Sequence, residues 1–263
     1  MIVSRTGPAL RGRFLLLLMA IPALLLSSPP GRAQEPPPAP PRLRTWSFEL
    51  VSGPSFGGPA GDLEAAMRDA GFDDTSPGGW FGSGGDSYPV TNDELWDRTS
   101  YWGAVRRRLG HGPWHVGLGG GATELANVSG YRRDAGNGYL GTFLYTECRL
   151  ATLAPMAWFE PAPALRLGAG PALHRVDLDL GPSGNPGEAA TRSWNPGFVV
   201  EAALTFPVDS PVYFVALAQY RWAGNATAGP WQGTTFSGAH VEFPAATVRV
   251  SHAFAAVGIG GRF

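Results

Sequence analysis

Val250-Ser-His-Ala-Phe-Ala-Ala-Val-Gly-Ile-Gly-Gly-Arg-Phe263 alternates along its length. In an extended chain Phe263, Ile259, Val257, Ala255 and Ala253 share one face, opposite Arg262, Gly260, Gly258, Ala256, Phe254 and His252. Side chains separated by two residues line the same face of a strand, so this stretch reads as a β-strand and not a helix.

The same period of two recurs upstream, punctuated by Gly, Pro, Asn and Asp clusters. It predicts eight strands near 45–56, 99–109, 113–126, 139–154, 162–177, 196–207, 211–223 and 246–263. The second, fourth and sixth connections are short: Gly110 to Gly112, Pro155 to Pro161, and Val208 to Ser210. The others are longer. An even number of antiparallel strands with turns short at one end and loops long at the other is the pattern of a transmembrane barrel. The predicted fold is thus all-β: a closed, up-and-down antiparallel transmembrane β-barrel of eight strands.

The start of the chain agrees with export. Arg5, Arg11 and Arg13 precede an apolar stretch from Phe14 to Leu26, and Gly31-Arg32-Ala33 offers small residues for cleavage. Residues 1–33 are expected to be a cleaved signal peptide, and 34–44 a Pro-rich periplasmic spacer. The barrel domain would then fill 45–263, with the cell outer membrane as its location. A spanning anchor is disfavoured because the apolar run is short and broken by Pro22. Cys148 is the single cysteine, so no disulfide forms within the chain. All 20 basic residues are arginine, a pattern read as codon bias, and the mature chain is slightly acidic. No basic footprint for nucleic acid exists.

Face assignments are clearest late in the chain. Phe198, Val200, Ala202, Leu204 and Phe206 oppose Glu201 and Thr205; Trp46, Phe48 and Leu50 oppose Ser47 and Glu49. A charge-free face suits lipid, where a charge at mid-depth would cost roughly 2 to 4 kcal/mol. The opposite face carries Glu49, Arg106, Arg108, Glu147, Arg149, Arg166, Glu201 and Arg221, with Gln219 among them. Both signs occur, and an eight-stranded barrel is just wide enough for side chains to fill. An ion-pair network plugging the lumen is expected, with a narrow ion path as the alternative. Gly117, Gly119, Gly121, Gly168 and Gly170 are expected to leave room for long arginines.

The longest loop holds a helical spacing from Gly61 to Phe72, with Asp62 as cap, Leu63, Ala66, Met67 and Ala70 on one side, and Gly71 as stop. Its acids, Asp62, Glu64, Asp69, Asp73, Asp74, Asp86, Asp93, Glu94 and Asp97, suggest a solvated acidic cap. They lack the spaced oxygen ligands of a calcium loop. For catalysis the best cluster is His240 and Glu242 with Ser237 nearby, and it has no identifiable oxyanion donor. His252 and Ser251 are adjacent and point to opposite faces. No metal-ligand spacing is found, and no cofactor or metal is expected. Asn127-Val-Ser and Asn225-Ala-Thr match a glycosylation pattern by chance.

The secretory start, the Leu165-Arg-Leu-Gly-Ala-Gly-Pro-Ala-Leu-His174 strand and the final strand ending on Phe263 together resemble the small eight-stranded outer-membrane barrels of the OmpA/OmpX type. The likeness extends to the outer membrane protein β-barrel domain group. It implies that Phe263, Ile259 and Val257 form the signal for the barrel-assembly machinery, although Gly261 stands where the wider group carries an aromatic. No peptidoglycan-binding domain is expected after the barrel. The expected function is a non-enzymatic, monomeric envelope protein with loops for surface contact, in outer-membrane lipid and lipopolysaccharide. The alternative is a lipid-A-modifying or other barrel hydrolase.

Overall fold

A computed structural model describes residues 45–73, 91–92, 99–133, 141–182, 189–234 and 240–263. The expected signal and spacer, and Asp74, Asp86, Asp93, Glu94 and Asp97 of the first loop, lie outside the described residues. The elements are β1 (Trp46–Gly57), α1 (Ala60–Asp69), β2 (Thr91–Asn92), β3 (Thr99–Arg108), β4 (Trp114–Arg133), β5 (Gly141–Ala162), β6 (Leu165–Pro182) and β7 (Ala189–Phe206). They continue as β8 (Val212–Trp222), β9 (Asn225–Ala228), β10 (Trp231–Thr234), β11 (His240–Phe243), β12 (Ala246–Arg249) and β13 (His252–Arg262).

Eight long strands form an antiparallel up-and-down sheet in the order β4-β3-β1-β13-β8-β7-β6-β5, and β5 pairs back to β4 to complete the ring. The first and last strands join through Leu50↔Ile259 and their neighbours. Trp46 N–H donates to the Phe263 carbonyl at 3.0 Å, and Phe263 N–H returns a bond to Trp46 at 2.9 Å. Ring closure removes the unpaired edges that an open sheet would expose.

Several strand boundaries differ from the sequence reading: β4 runs on to Arg133, β6 to Pro182, and β7 begins already at Ala189. β5 runs through Pro155 and Pro161 to Ala162, and the turn is only Pro163-Ala164. Proline cannot donate to a ladder, which made Pro155 look like a turn residue. In the barrel the β5–β6 ladder lapses between Leu153↔Leu173 and Ala157↔Ala169, and that register sets Pro155 opposite Pro171. The lost donors thus fall together, while β5 stays paired to β4 at Leu118↔Pro155. The eighth strand is also shorter than 246–263. β12 leaves the barrel sheet to pair with β9, and the break at Val250-Ser251 matches one at Ala223-Gly224. Gly224, at φ +70, supplies the left-handed residue, and Val250 N–H reaches its carbonyl at 3.1 Å.

The barrel has two tiers of opposite polarity. At the end of the short turns, apolar side chains point outward on all eight strands, among them Phe48, Val105, Leu118, Leu153, Leu167, Val200, Phe214 and Ile259. Farther along, β4 to β7 reach 18 to 22 residues. A tilted strand crosses a bilayer in about 9 to 11 residues, so these four are nearly twice the needed length. In that extension the outer face turns polar and the inner face apolar: Leu144, Leu150, Val176, Leu178 and Leu180 are buried. A bulge between Glu124 and Ala126 shifts the parity of β4, so that Leu125 and Ala126 both turn inward.

Helix α1 fills the upper tier. Leu63 and Met67 are fully buried, and Phe72 follows them into the same cluster with Leu125, Cys148, Trp231, Phe243 and Val248. The helix starts at Ala60, two residues before the expected cap. Asp62 accepts a bond from Arg249 N–H at 2.8 Å and caps nothing. Gly71, at φ +78, ends the helical stretch. The apolar side of the first-loop helix is therefore part of the core, while Asp69 is exposed and Glu64 pairs with Arg68 on its other side.

Candidate functional site

Alternation on β1, β3, β6, β7 and β8 aims five charged side chains into the lower tier, and all are buried: Glu49, Arg106, Arg166, Glu201 and Arg221. Glu49 stands at the centre. Arg166 grips it with two parallel bonds, Nη1 to Oε1 at 2.7 Å and Nη2 to Oε2 at 2.6 Å. Arg106 Nη2 donates to Glu49 Oε1 at 2.5 Å and Tyr213 OH donates to the same oxygen at 2.9 Å. Arg106 Nε also donates to Ser47 Oγ at 3.2 Å. Fork-shaped arginine–carboxylate pairs are the geometry that best repays the removal of both charges from water.

The second carboxylate, Glu201, accepts from Trp158 Nε1 at 2.6 Å and from Gln219 Nε2 at 3.1 Å, with Arg166 Nη2 at 3.5 Å. Gln219 passes the chain of bonds on by accepting from Arg221 Nε at 2.5 Å. Among the described residues Arg221 makes no ion pair with a carboxylate. Its Nη1 donates to Thr123 Oγ1 at 2.8 Å, and its guanidinium lies 4.9 Å from the Trp102 ring centroid and 5.0 Å from that of Phe254. Aromatic faces offer a cation partial compensation where no anion is present. Beyond it, Thr152 Oγ1 and His174 Nδ1 are 2.9 Å apart.

The remaining residues expected in the lumen fall elsewhere. Glu147 and Arg149 pair with each other on the outer face of β5, in the upper tier. The sequence reading sets them on the inner face, but the β5 parity that buries Cys148, Leu150 and Thr152 turns them out. Arg108 has inward parity at the short-turn mouth, where its Nε donates to the Gly112 carbonyl at 3.0 Å. Tyr213, Trp158, Ser47 and Thr123 join the network. Ser47, Thr123 and Tyr213 have inward parity in the sequence, whereas Trp158 falls in the expected Pro155–Pro161 turn and reads there as a strand-end aromatic; the longer β5 buries it against Glu201.

Of the inward glycines, Gly119, Gly121 and Gly168 make room for tryptophans and not for the expected arginines, while Gly117 and Gly170 lie against the backbone of the neighbouring strand. A side chain begun at Gly168 would meet Trp158 Cδ1 at 2.3 Å, and one at Gly119 would meet the Trp102 ring at 2.3 Å. Glycine here lets a large indole from the neighbouring strand lie across the lumen floor. The filled interior of this tier combines those indoles with Val199, Ala203, Val215 and Leu217.

Of the candidate hydrolase residues, two share one face of a strand. His240 and Glu242 are exposed on β11, and Glu242 Oε1 accepts from Gln232 at 3.4 Å. Ser237 lies outside the described residues. Ser251 Oγ accepts from Ala223 N–H at 3.1 Å, while His252 Nδ1 sits 3.3 Å from the Val250 carbonyl. Among the described residues no group of three His, Cys, Asp or Glu side chains is placed to hold a metal ion. Cys148 is buried in the upper tier, outside the apolar belt. Burial, followed by the nearby Asp177 and Glu147 charges, pushes its thiol well above the ordinary range.

Phe263, Ile259 and Val257 are 65, 52 and 70 % exposed on the outer wall. No family model and no curated relative matches the sequence. Among solved structures the chain is similar to Ail, the attachment invasion locus protein of Yersinia pestis, at 10 % identity and a TM-score of 0.37, covering 83 % of this chain and 97 % of that one. It is also similar to Neisserial surface protein A, at 10 % identity and a TM-score of 0.36, covering 83 % of this chain and 96 % of that one. The strand pairings themselves define this protein as a closed eight-stranded antiparallel barrel.

Proposed function

We propose that this chain is an integral outer-membrane protein of non-enzymatic type. Its lower tier crosses the bilayer with a side-chain-filled lumen, and its upper tier presents a surface outside the cell. The observation that carries this reading is the belt of outward apolar side chains on every strand of a closed ring, including Leu50, Tyr101, Val116, Leu173, Phe198, Val212 and Val257. Soluble proteins rarely expose a contiguous apolar surface beyond a few hundred Å². Among the described residues no helix is long and apolar enough to cross a membrane, so crossing falls to the strands. Phe263, Ile259 and Val257 are the residues offered to the barrel-assembly machinery, and the barrel acts as a monomer in lipid and lipopolysaccharide.

The lumen network supports a plug over a channel, because Arg166, Glu49 and Arg106 bond across the interior with no exposed charged face. The test is a heat-modifiable gel shift with outer-membrane fractionation, followed by bilayer recording. A barrel in the outer-membrane fraction with no conductance above background is expected. A soluble periplasmic product would overturn the membrane reading, and steady conductance would overturn the plug.

A further inference from the structure

The buried charges of the lumen do not balance. Among the described residues three buried arginines, Arg106, Arg166 and Arg221, face two buried carboxylates, Glu49 and Glu201. Glu49 binds both Arg106 and Arg166, and Arg166 also reaches Glu201. The surplus positive charge therefore falls on Arg221, whose guanidinium cannot shed its proton in a protein. Its bonds to Gln219 and Thr123 and its contacts with Trp102 and Phe254 offset only part of the cost of burial. A buried charge without a counterion is among the most unfavourable groups an interior can hold.

Three buried nitrogens around this cation have no hydrogen-bond partner among the described residues: Arg221 Nη2, His174 Nε2 and His252 Nε2. Three strands bring them together. His252 on β13 stands directly opposite Arg221 on β8. His174 comes from β6 and crosses β7 at Gly197, where a side chain would meet its Nε2 at 2.7 Å. The missing side chain lets the imidazole reach the backbone of Trp222, the residue after Arg221. Nε2 has only a poorly aligned approach to the Trp222 carbonyl. At the other end of the ring Nδ1 is 2.9 Å from Thr152 Oγ1, and a hydroxyl donating there leaves the ring proton on Nε2. Arg221 acts electrostatically on both imidazoles, and His174 acts on His252.

We infer that Arg221, His174 and His252 bind one halide-sized anion, with chloride as the natural occupant, at the level where the two tiers meet. One such ion matches the three buried arginines to three negative charges. A water molecule could satisfy the same nitrogens but would leave the surplus charge in place. Arg221 Nη2 and His174 Nε2 are the donors. His252 adds a third when its proton sits on Nε2, giving up only a 3.3 Å contact between Nδ1 and the Val250 carbonyl. Trp102 and Phe254 crowd the guanidinium, and the positive edges of such rings tolerate a monatomic anion better than an oxyanion that needs a donor for every oxygen. The site needs only the closed, filled ring, whatever surrounds the barrel.

The test uses the full mature chain refolded in detergent. Crystals grown in sodium bromide should show, by anomalous scattering, one bromide within hydrogen-bond reach of Arg221 Nη2 and His174 Nε2. In urea denaturation at constant ionic strength, sodium chloride replaces sodium gluconate stepwise. Once the site fills, the folded-to-unfolded ratio should rise about tenfold for each tenfold rise in chloride, the linkage expected of one ion held by the folded state alone. Arg221→Met should abolish that dependence, and Arg107→Gln, on the outer wall beside Trp46, should keep it. A bromide map with no anomalous peak at the cluster would overturn the site, and so would an unchanged chloride dependence in Arg221→Met. A gel shift checks that each variant folds, and if Arg221→Met does not, the bromide map of the parent decides alone.

Discussion

Arg166 on β6 forks onto both oxygens of Glu49 on β1, with bonds of 2.7 and 2.6 Å between residues 117 positions apart in sequence. The pair spans the lumen and brings Arg106 and Tyr213 to the same carboxylate. Glu49→Gln would leave Arg106 as a buried cation without an anion and Arg166 with only Glu201, 3.5 Å away. A loss of about 3 to 5 kcal/mol is expected, the cost of breaking a buried pair from one side. The guanidinium midpoint of tryptophan fluorescence in detergent measures it. Replacing Glu49 and Arg166 together with Leu and Met should recover much of that loss.

Arg166 and Arg221 should respond differently to the same change. Arg166→Met strips Glu49 of its two-pronged partner, leaving a buried charge exposed to Arg106 alone. Arg221→Met removes a cation whose described hydrogen-bond partners are the neutral Gln219 and Thr123. The groups left behind are uncharged, so the cost is about 1 to 3 kcal/mol at most. Equal destabilisation by the two variants in the same denaturation series would contradict the network's centre at Glu49.

Gly168 tests the seating of Trp158. An added methyl would meet Trp158 Cδ1 at 2.3 Å, its Nε1 at 2.5 Å and Glu201 Cγ at 2.8 Å. Gly168→Ala should destabilise the barrel by about 1 to 3 kcal/mol, as overpacking does. Gly61→Ala, in α1 with open space around its position, should be neutral or stabilise by about 0.5 to 1 kcal/mol. A neutral Gly168→Ala would mean the indole packs elsewhere.

Cys148 should resist maleimide and disulfide reagents in the folded barrel at pH 7 to 8, because burial holds the thiol protonated and covered. Labelling should appear only with unfolding, in step with loss of the compact gel form. Fast labelling of the folded protein would show that the upper tier opens around α1.

Period-two alternation in the sequence determined the outward face of each barrel strand at the apolar belt, because a lipid-facing wall admits no charge and the pleat enforces parity. His252 and Phe254 turn inward, Val257 and Ile259 outward, and Glu49, Arg106, Arg166, Glu201 and Arg221 point to the lumen. Tertiary structure decided what those residues meet. The Glu49–Arg166 fork, the Arg221 stack on Trp102 and Phe254, and the seating of Trp158 over Gly168 join strands that are remote in sequence. It also decided the second tier. The sequence reading puts Glu147 and Arg149 in the lumen and gives α1 an apolar side without saying what covers it. A strand that outruns the belt reverses its environment, with water outside and a dry core within. Only the ring of neighbours around Leu63, Met67, Cys148 and Phe243 reveals that reversal. The final strand carries the clearest face in the chain, but its partner β1 lies at the far end of the barrel sequence, and the meeting of the two closes the ring.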